Sequence, residues 1–249
     1  MAPSTTGNTT GAYRRYAEVY DLVWRAAPWD RFVDLCLDAA GSVAVSARRV
    51  VDAACGTGNL AIEFARRGHE VTGFDLSRGM LERAAAKRSA TGLRVGLVVG
   101  DLRAAPLADG CADLVVSLNA SLNYLLEPDE VVTALGHLGR LASPSGAIVL
   151  EPLAGRFIHQ GYEPARHVVD GAFRLDASYE LKADLLIERV AWTIDGIDTV
   201  ESYCQRYYDD EQFEALLGAA GLVVAGRLPM YPFLEAEPAR GRTLWVIVP

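Results

Sequence analysis

Between Val50 and Asp75 the chain runs VVDAACGTGNLAIEFARRGHEVTGFD, and this stretch constrains the fold more tightly than any other. A short apolar run ends in an acid and leads into Cys55-Gly56-Thr57-Gly58. A helical stretch follows, with Leu60 and Phe64 on one face and Gly68 placed to end it. EVTGFDLS then repeats the strand pattern and closes on Asp75. A Gly-rich turn between strand and helix lets a ligand approach the backbone where a side chain would collide. Asp75, at the end of the second strand, is placed to accept hydrogen bonds from two ribose hydroxyls. Taken alone, Gly56 to Ala61 also satisfies the dinucleotide pattern GxGxxA, which leaves a nicotinamide-dependent dehydrogenase open at this point.

The rest of the chain keeps the alternation. Tyr13 to Leu37 reads as an aromatic-rich helical segment broken at Pro28, after a Ser, Thr, Gly and Asn-rich start expected to be disordered over residues 1–12. Ser77 can cap a helix carrying Met80, Leu81 and Ala84. LRVGLVVGDL, ADLVVSLNAS and GAIVLEP read as strands three to five, with a helix starting near Asp129 before the fifth. From 165 to 208 the period changes to two: Phe173, Leu175, Ala177 and Tyr179 alternate with Arg174, Asp176, Ser178 and Glu180, and Asp195-Gly196 signals a hairpin. Asp209 with Gln212 then caps a further helix, Gly221 closes it, and LVVAGRL and RTLWVIVP supply two last strands. The expected architecture is a single α/β domain over residues 13–249, a mostly parallel sheet covered by helices on both faces. Residues 155–208 form a small antiparallel sheet inserted after strand five.

Three features decide between cofactors. Asp52 precedes the glycines, where a pyrophosphate would be repelled but a sulfonium or amino group would not. Asp101 follows the third strand beside Leu102, placed to accept from an adenine amino group. The last strands arrive after the insert and do not make a second mononucleotide-binding half. Asp52 to Gly58, Asp75, Asp101-Leu102 and Ser121-Leu122-Asn123-Tyr124-Leu125 together resemble the successive motifs of class I S-adenosylmethionine-dependent methyltransferases. That resemblance implies a Rossmann-like seven-stranded sheet with a reversed last strand, and S-adenosylmethionine as cofactor. It further implies that Ala53, Cys55, Gly56 and Gly58 pass beneath the methionine part and that Asp75 holds the ribose. Leu76 and Met80 would flank the adenine, with Asp101 and Leu102 on its edge, and Asn119 would line the path to the substrate. The nearest likeness is to small-molecule N-methyltransferases of the aminosugar type, by which Tyr16 and Tyr20 would close over the cofactor and the insert would form the substrate wall. Many of those relatives carry an acid just before SLNYL; this chain has Asn119-Ala120.

A net charge of −8 argues against nucleic acid as the main partner. The NASL stretch after strand four lacks the paired prolines of amino-directed DNA methyltransferases. The four cysteines are far apart, with no CxxC and no histidine cluster, so no metal site is expected. No segment reaches transmembrane length, and a cytoplasmic protein without membrane contact is expected. The expected reaction is methyl transfer to a small molecule, nitrogen favoured over oxygen. A methyltransferase-fold protein with changed chemistry, such as a cyclase or isomerase, or a non-catalytic partner, is the alternative. An amine acceptor needs only to be unprotonated, whereas a hydroxyl needs a base; His159 and His167 in the insert and Glu151 at the end of strand five are the candidates. A homodimer pairing through the N-terminal segment and the insert stays open.

Overall fold

The computed structural model describes residues 15–161, 165–230 and 242–249, so the disorder expected at 1–12 lies outside the described residues. The aromatic segment that follows is a 3-10 turn (Tyr16–Glu18) and a single-turn helix α1 (Tyr20–Val23), then α2 (Trp29–Ser42) with Pro28 at its N-cap. Proline presets the backbone for a helix start and blocks continuation from the preceding turn, which is why the break falls there. α2 runs past Leu37 because Ala39 and Ala40 extend the buried stripe begun by Phe32, Val33 and Cys36.

The alternating elements are β1 (Arg49–Ala53), α3 (Asn59–Arg66), β2 (Glu70–Asp75), α4 (Arg78–Thr91), β3 (Val95–Val99), β4 (Ala112–Ser117), α5 (Pro128–Leu141) and β5 (Ala142–Leu150). β5 starts directly from α5, earlier than GAIVLEP suggested, because Ala142 already pairs with Ala112 across a register shift in β4. α7 (Asp210–Ala219), β10 (Val223–Pro229) and β11 (Thr243–Val248) complete the framework, α7 being held at its start by the reciprocal Asp209–Gln212 capping box. The seven strands lie in the order β10-β11-β5-β4-β1-β2-β3, with β11 antiparallel to both neighbours. The expected seven-stranded, mostly parallel sheet with one reversed strand is the observed one.

Alternation along the central strands feeds two cores. Leu114 and Val116 pack with Phe32, Cys36 and Phe64 from α2 and α3. Val115 and Ile148, on the opposite face, pack with Leu135 and Leu138 of α5 and Phe213 of α7. Each such fully buried side chain contributes roughly 1.5–3 kcal/mol.

After α6 (Gly155–Gly161), the second sheet is a four-stranded antiparallel meander of β6 (Ala165–Asp170), β7 (Phe173–Lys182), β8 (Leu185–Ile194) and β9 (Ile197–Arg206). Asp195 and Gly196 both adopt left-handed φ (51° and 77°), as a two-residue turn matching the strand twist requires. Phe173, Leu175, Ala177, Trp192 and Tyr203 form its inner face and pack on Tyr16, Ala17, Val19 and Met80. The N-terminal segment is therefore sandwiched between the second sheet and the Rossmann-like framework.

Candidate active site

Strand order reverses between β1 and β4, and the carboxyl ends of strands flanking such a switch point leave a crevice in which ligands bind. A cleft opens there. Its lining draws on the ends of four adjacent strands: Asp52 and Ala54 to Thr57 from β1 and the following turn, Asp75 to Ser77 after β2, Gly100 to Arg103 after β3, and Leu118 and Asn119 after β4. Of the residues singled out from sequence, the cleft gathers Tyr20, Asp52, Cys55, Gly56, Asp75, Leu76, Met80, Asp101, Leu102 and Asn119. Tyr16 lies one layer back, packed edge-on to Tyr20 and Trp192. Ala53 is in the core beneath the turn.

The turn after β1 is shaped from both sides. Gly56 and Gly58 take φ of 54° and 75°. Gly56 N donates to Asp75 Oδ2 at 2.8 Å, while Ser77 N donates to Asp75 Oδ1 at 2.8 Å. Gly58 caps α3, and a Cβ there would sit 3.0 Å from Ala84 Cβ on α4. Gly58→Ala should therefore cost roughly 1–3 kcal/mol in strain and crowding, read as a fall in melting temperature with a parallel loss of cofactor affinity. An unchanged melting temperature would show that the turn relaxes freely.

The electrostatics of the cleft are acidic. Burial and the neighbouring Asp75 push the Asp52 carboxyl up to about 7, against one backbone donor from Ala61. Burial also raises Asp75, offset by its two backbone donors. Asp101 is held below the usual carboxylate range by Arg103, whose Nη2 lies 2.6 Å from Asp101 Oδ2. Arg103 also reaches Glu130 Oε1 at 2.5 Å. Among the described residues, Arg103 is the single cation lining the cleft, and both ends of its guanidinium are engaged.

Two buried polar atoms of this cleft have no hydrogen-bond partner: Asp52 Oδ2 and Asn119 Oδ1. A buried acceptor without a donor is costly unless a ligand supplies one. Asp52 Oδ2 fits a cationic amino group. The left-handed Gly turn leaves the space beside Gly56 open, with nothing within 4 Å of a Cβ built there. Asp75 keeps lone pairs for ribose, and Leu76, Met80 and Leu102 give apolar contact for a base. These donor and acceptor types fit S-adenosylmethionine.

Two of the expected bases, His159 and Glu151, are not among the residues that line the cleft. His159, on α6, is exposed and its ring packs edge-on to Tyr207 at 5.8 Å, away from the residues that line the cleft. The side chain of His167 lies outside the described residues. Glu151 is fully buried and does not line the cleft; it ion-pairs with Arg242 and accepts from Asn119 N at 2.8 Å. Sequence reasoning missed Trp29, Arg103 and Asn59 as lining residues. The position of Arg103 two residues after Asp101 was the available signal; nothing local pointed to Trp29.

Residues 50–146 match the family of methyltransferase domains. YqeM of Bacillus subtilis is 29% identical over 225 residues, covering 84% of this chain and 85% of that protein. A solved S-adenosylmethionine-dependent methyltransferase from Clostridium acetobutylicum superposes with a TM-score of 0.78 at 21% identity, covering 95% of this chain and 98% of that one. CalS10, an amino pentose methyltransferase from Micromonospora echinaspora solved with S-adenosylmethionine bound, gives a TM-score of 0.74 at 24% identity, covering 92% and 96%. The domain match over residues 50–146, the strand order and the superpositions together show a methyltransferase domain on a Rossmann-like fold. The chemistry of the cleft accommodates S-adenosylmethionine, the cofactor bound in CalS10. Among the described residues, no helix is long and apolar enough to cross a membrane, and no group of His, Cys, Asp and Glu is arranged to hold a metal.

Proposed function

We propose that this protein methylates an amine nitrogen of a small-molecule acceptor. The observation that carries the reading is the wall after β4. Asn119 Oδ1 is a buried acceptor awaiting an N–H or O–H donor, in a cleft whose described cation is already paired. A carboxylate acceptor would meet Asp52, Asp75 and Asp101 with no free counter-charge among the described residues of the cleft. A neutral or cationic amine meets a favourable field, and the structural likeness to an amino pentose methyltransferase supports the same choice. Tyr20, Trp29 and Tyr124 bound the cleft with aromatic surface, which suits a molecule of sugar size better than an extended polymer.

When bound, S-adenosylmethionine supplies an electrophilic methyl on a sulfonium, which an unprotonated amine takes in an in-line displacement. The protein's own contribution is alignment and exclusion of water. Asp52 holds the amino group of the cofactor, Asp75 the ribose, and the Asn119 amide oxygen accepts from the incoming amine and orients its lone pair. The Asn119 side chain also hydrogen-bonds the Tyr20 hydroxyl. Burial raises the Tyr20 phenol, which keeps it neutral. The amine's proton leaves to water, with no histidine required.

The test is a panel of nucleotide-linked amino sugars, their hydroxyl counterparts and simple carboxylic acids, incubated with methyl-labelled S-adenosylmethionine. Label should appear on the amine members, and Asn119→Ala should cost roughly tenfold or more in kcat/KM. Label on the hydroxyl or carboxyl members with the amines untouched would overturn the nitrogen assignment.

A further inference from the structure

Asp21, on α1, is the centre of a polar node that the reading of the cleft does not use. Its Oδ1 accepts from Thr57 Oγ1 at 2.7 Å, from Asn59 Nδ2 at 3.0 Å and from Lys87 Nζ at 2.8 Å. Lys87, on α4, also donates to Thr57 Oγ1 at 2.9 Å and to Asn59 Oδ1. One carboxylate oxygen thus joins the N-terminal segment, the Gly-rich turn and α4. Lys87 is one of two lysines in the chain.

Three facts give the node a function. Thr57 and Asn59 line the cofactor cleft, so what holds them shapes the site. Tyr20, adjacent to Asp21, lines the same cleft and is hydrogen-bonded to Asn119. The N-terminal segment is also pinned to the second sheet, through Arg15 N to Glu201 Oε1 at 3.0 Å and through the Arg25–Asp170 ion pair. On the framework side, the Asp21 node is a polar anchor for it, beside the Tyr20–Asn119 contact. An isolated pair this exposed, with side chains 29% and 40% accessible, contributes little. A network that ties three elements does more, because no member can move without unpairing the others.

We propose that Asp21 and Lys87 are positioning residues that clamp the N-terminal segment onto the Gly-rich turn, so that docking of Tyr20 and binding of the cofactor are one coupled event. The proposal rests on the cleft being the S-adenosylmethionine site. Neither residue touches the cofactor; both act through Thr57, Asn59 and Tyr20. Coupling of this kind is reciprocal: the cofactor must stabilise the docked segment as much as the segment stabilises the cofactor.

S-adenosylhomocysteine binding to the full chain, followed by calorimetry and by limited trypsin digestion, tests both directions. In the wild type the ligand should slow cleavage at Arg15 and Arg25. Asp21→Asn and Lys87→Gln should each weaken binding at least about fivefold, the double variant should be no weaker than the poorer single, and ligand protection of Arg15 and Arg25 should be lost at saturation. A purely structural role would lower the melting temperature without abolishing protection in the saturated protein. Lys87→Gln, on a helix face, serves where Asp21→Asn does not fold. Wild-type affinity in Lys87→Gln, additive losses in the double variant, or protection that survives in the single variants would overturn the proposal. Absence of binding by the wild type would instead overturn the cofactor site itself.

Discussion

Replacing Asp52 by Asn is expected to weaken S-adenosylhomocysteine binding about a hundredfold at pH 8 and, in the same molecule, to raise the melting temperature of the unliganded protein. Both effects come from one carboxyl. Asp52 sits at the end of β1 with 3% of its surface exposed, one oxygen held by Ala61 N and the other without a partner. Burial and Asp75 push it up to about 7. The unfolded chain ionises this group near pH 3.9, so the empty fold loses stability as pH rises from about 4 to about 7, by roughly 4 kcal/mol in total. Below pH 4 the group is protonated in both states and costs nothing by this route. Asn resembles the protonated acid, keeps the bond from Ala61 and avoids the penalty. The gain should be several degrees at pH 8, shrink as pH falls and vanish only by about pH 4. Affinity runs the other way. A cationic amino group needs the carboxylate, so the wild type should bind about tenfold more weakly at pH 6 than at pH 8. Calorimetry and thermal melts across that range read both; a flat affinity profile, or a stability gain independent of pH, would detach Asp52 from the ligand.

What could be read in the sequence divides along physical lines. The motif Asp52 to Gly58, Asp75 and Asp101 was legible because strand ends and Gly-rich turns are local: the chain's own geometry places them at one edge of a parallel sheet. The insert was legible for the same reason, since Phe173, Leu175 and Ala177 advertise a period of two and Asp195-Gly196 a tight turn. The polar node at Asp21 was not, because its partners at 57, 59 and 87 become neighbours through the docking of the N-terminal segment on the framework, which no local pattern encodes. The catalytic expectations for His159 and Glu151 rested on residue type and position in the chain. Neither says where a side chain points: His159 packs on Tyr207, and Glu151 pairs with Arg242.

That pairing makes Arg242 the other position of large expected effect. Glu151 has no exposed surface and Arg242 only 16%, so the pair lies out of water. Arg242→Met should destabilise the protein by roughly 3–5 kcal/mol at pH 8, because it strands a buried carboxylate. Burial already raises Glu151, with Arg242 and Asn119 N opposing the shift. Without Arg242 the group should take up a proton readily, so the loss should shrink as pH falls toward 5.5. Glu151→Gln on the Arg242→Met background should recover most of the stability, since the remaining amide oxygen still accepts from Asn119 N. Thermal melts of the two variants at pH 8 and 5.5 decide it; a loss that is the same at both pH values would show that Arg242 contributes by packing on Phe157 and not by charge. The pair also carries function. Asn119 and Ala120 both adopt left-handed φ, 56° and 58°, a conformation costly for residues with a Cβ and maintained here by Glu151: its carboxylate accepts from Asn119 N and its carbonyl from Ala120 N. The strained elbow presents the Asn119 side chain to the cleft. Glu151, expected as a base, thus acts in this reading by holding the residue that meets the acceptor, and the double variant should regain stability while its methyl transfer stays impaired.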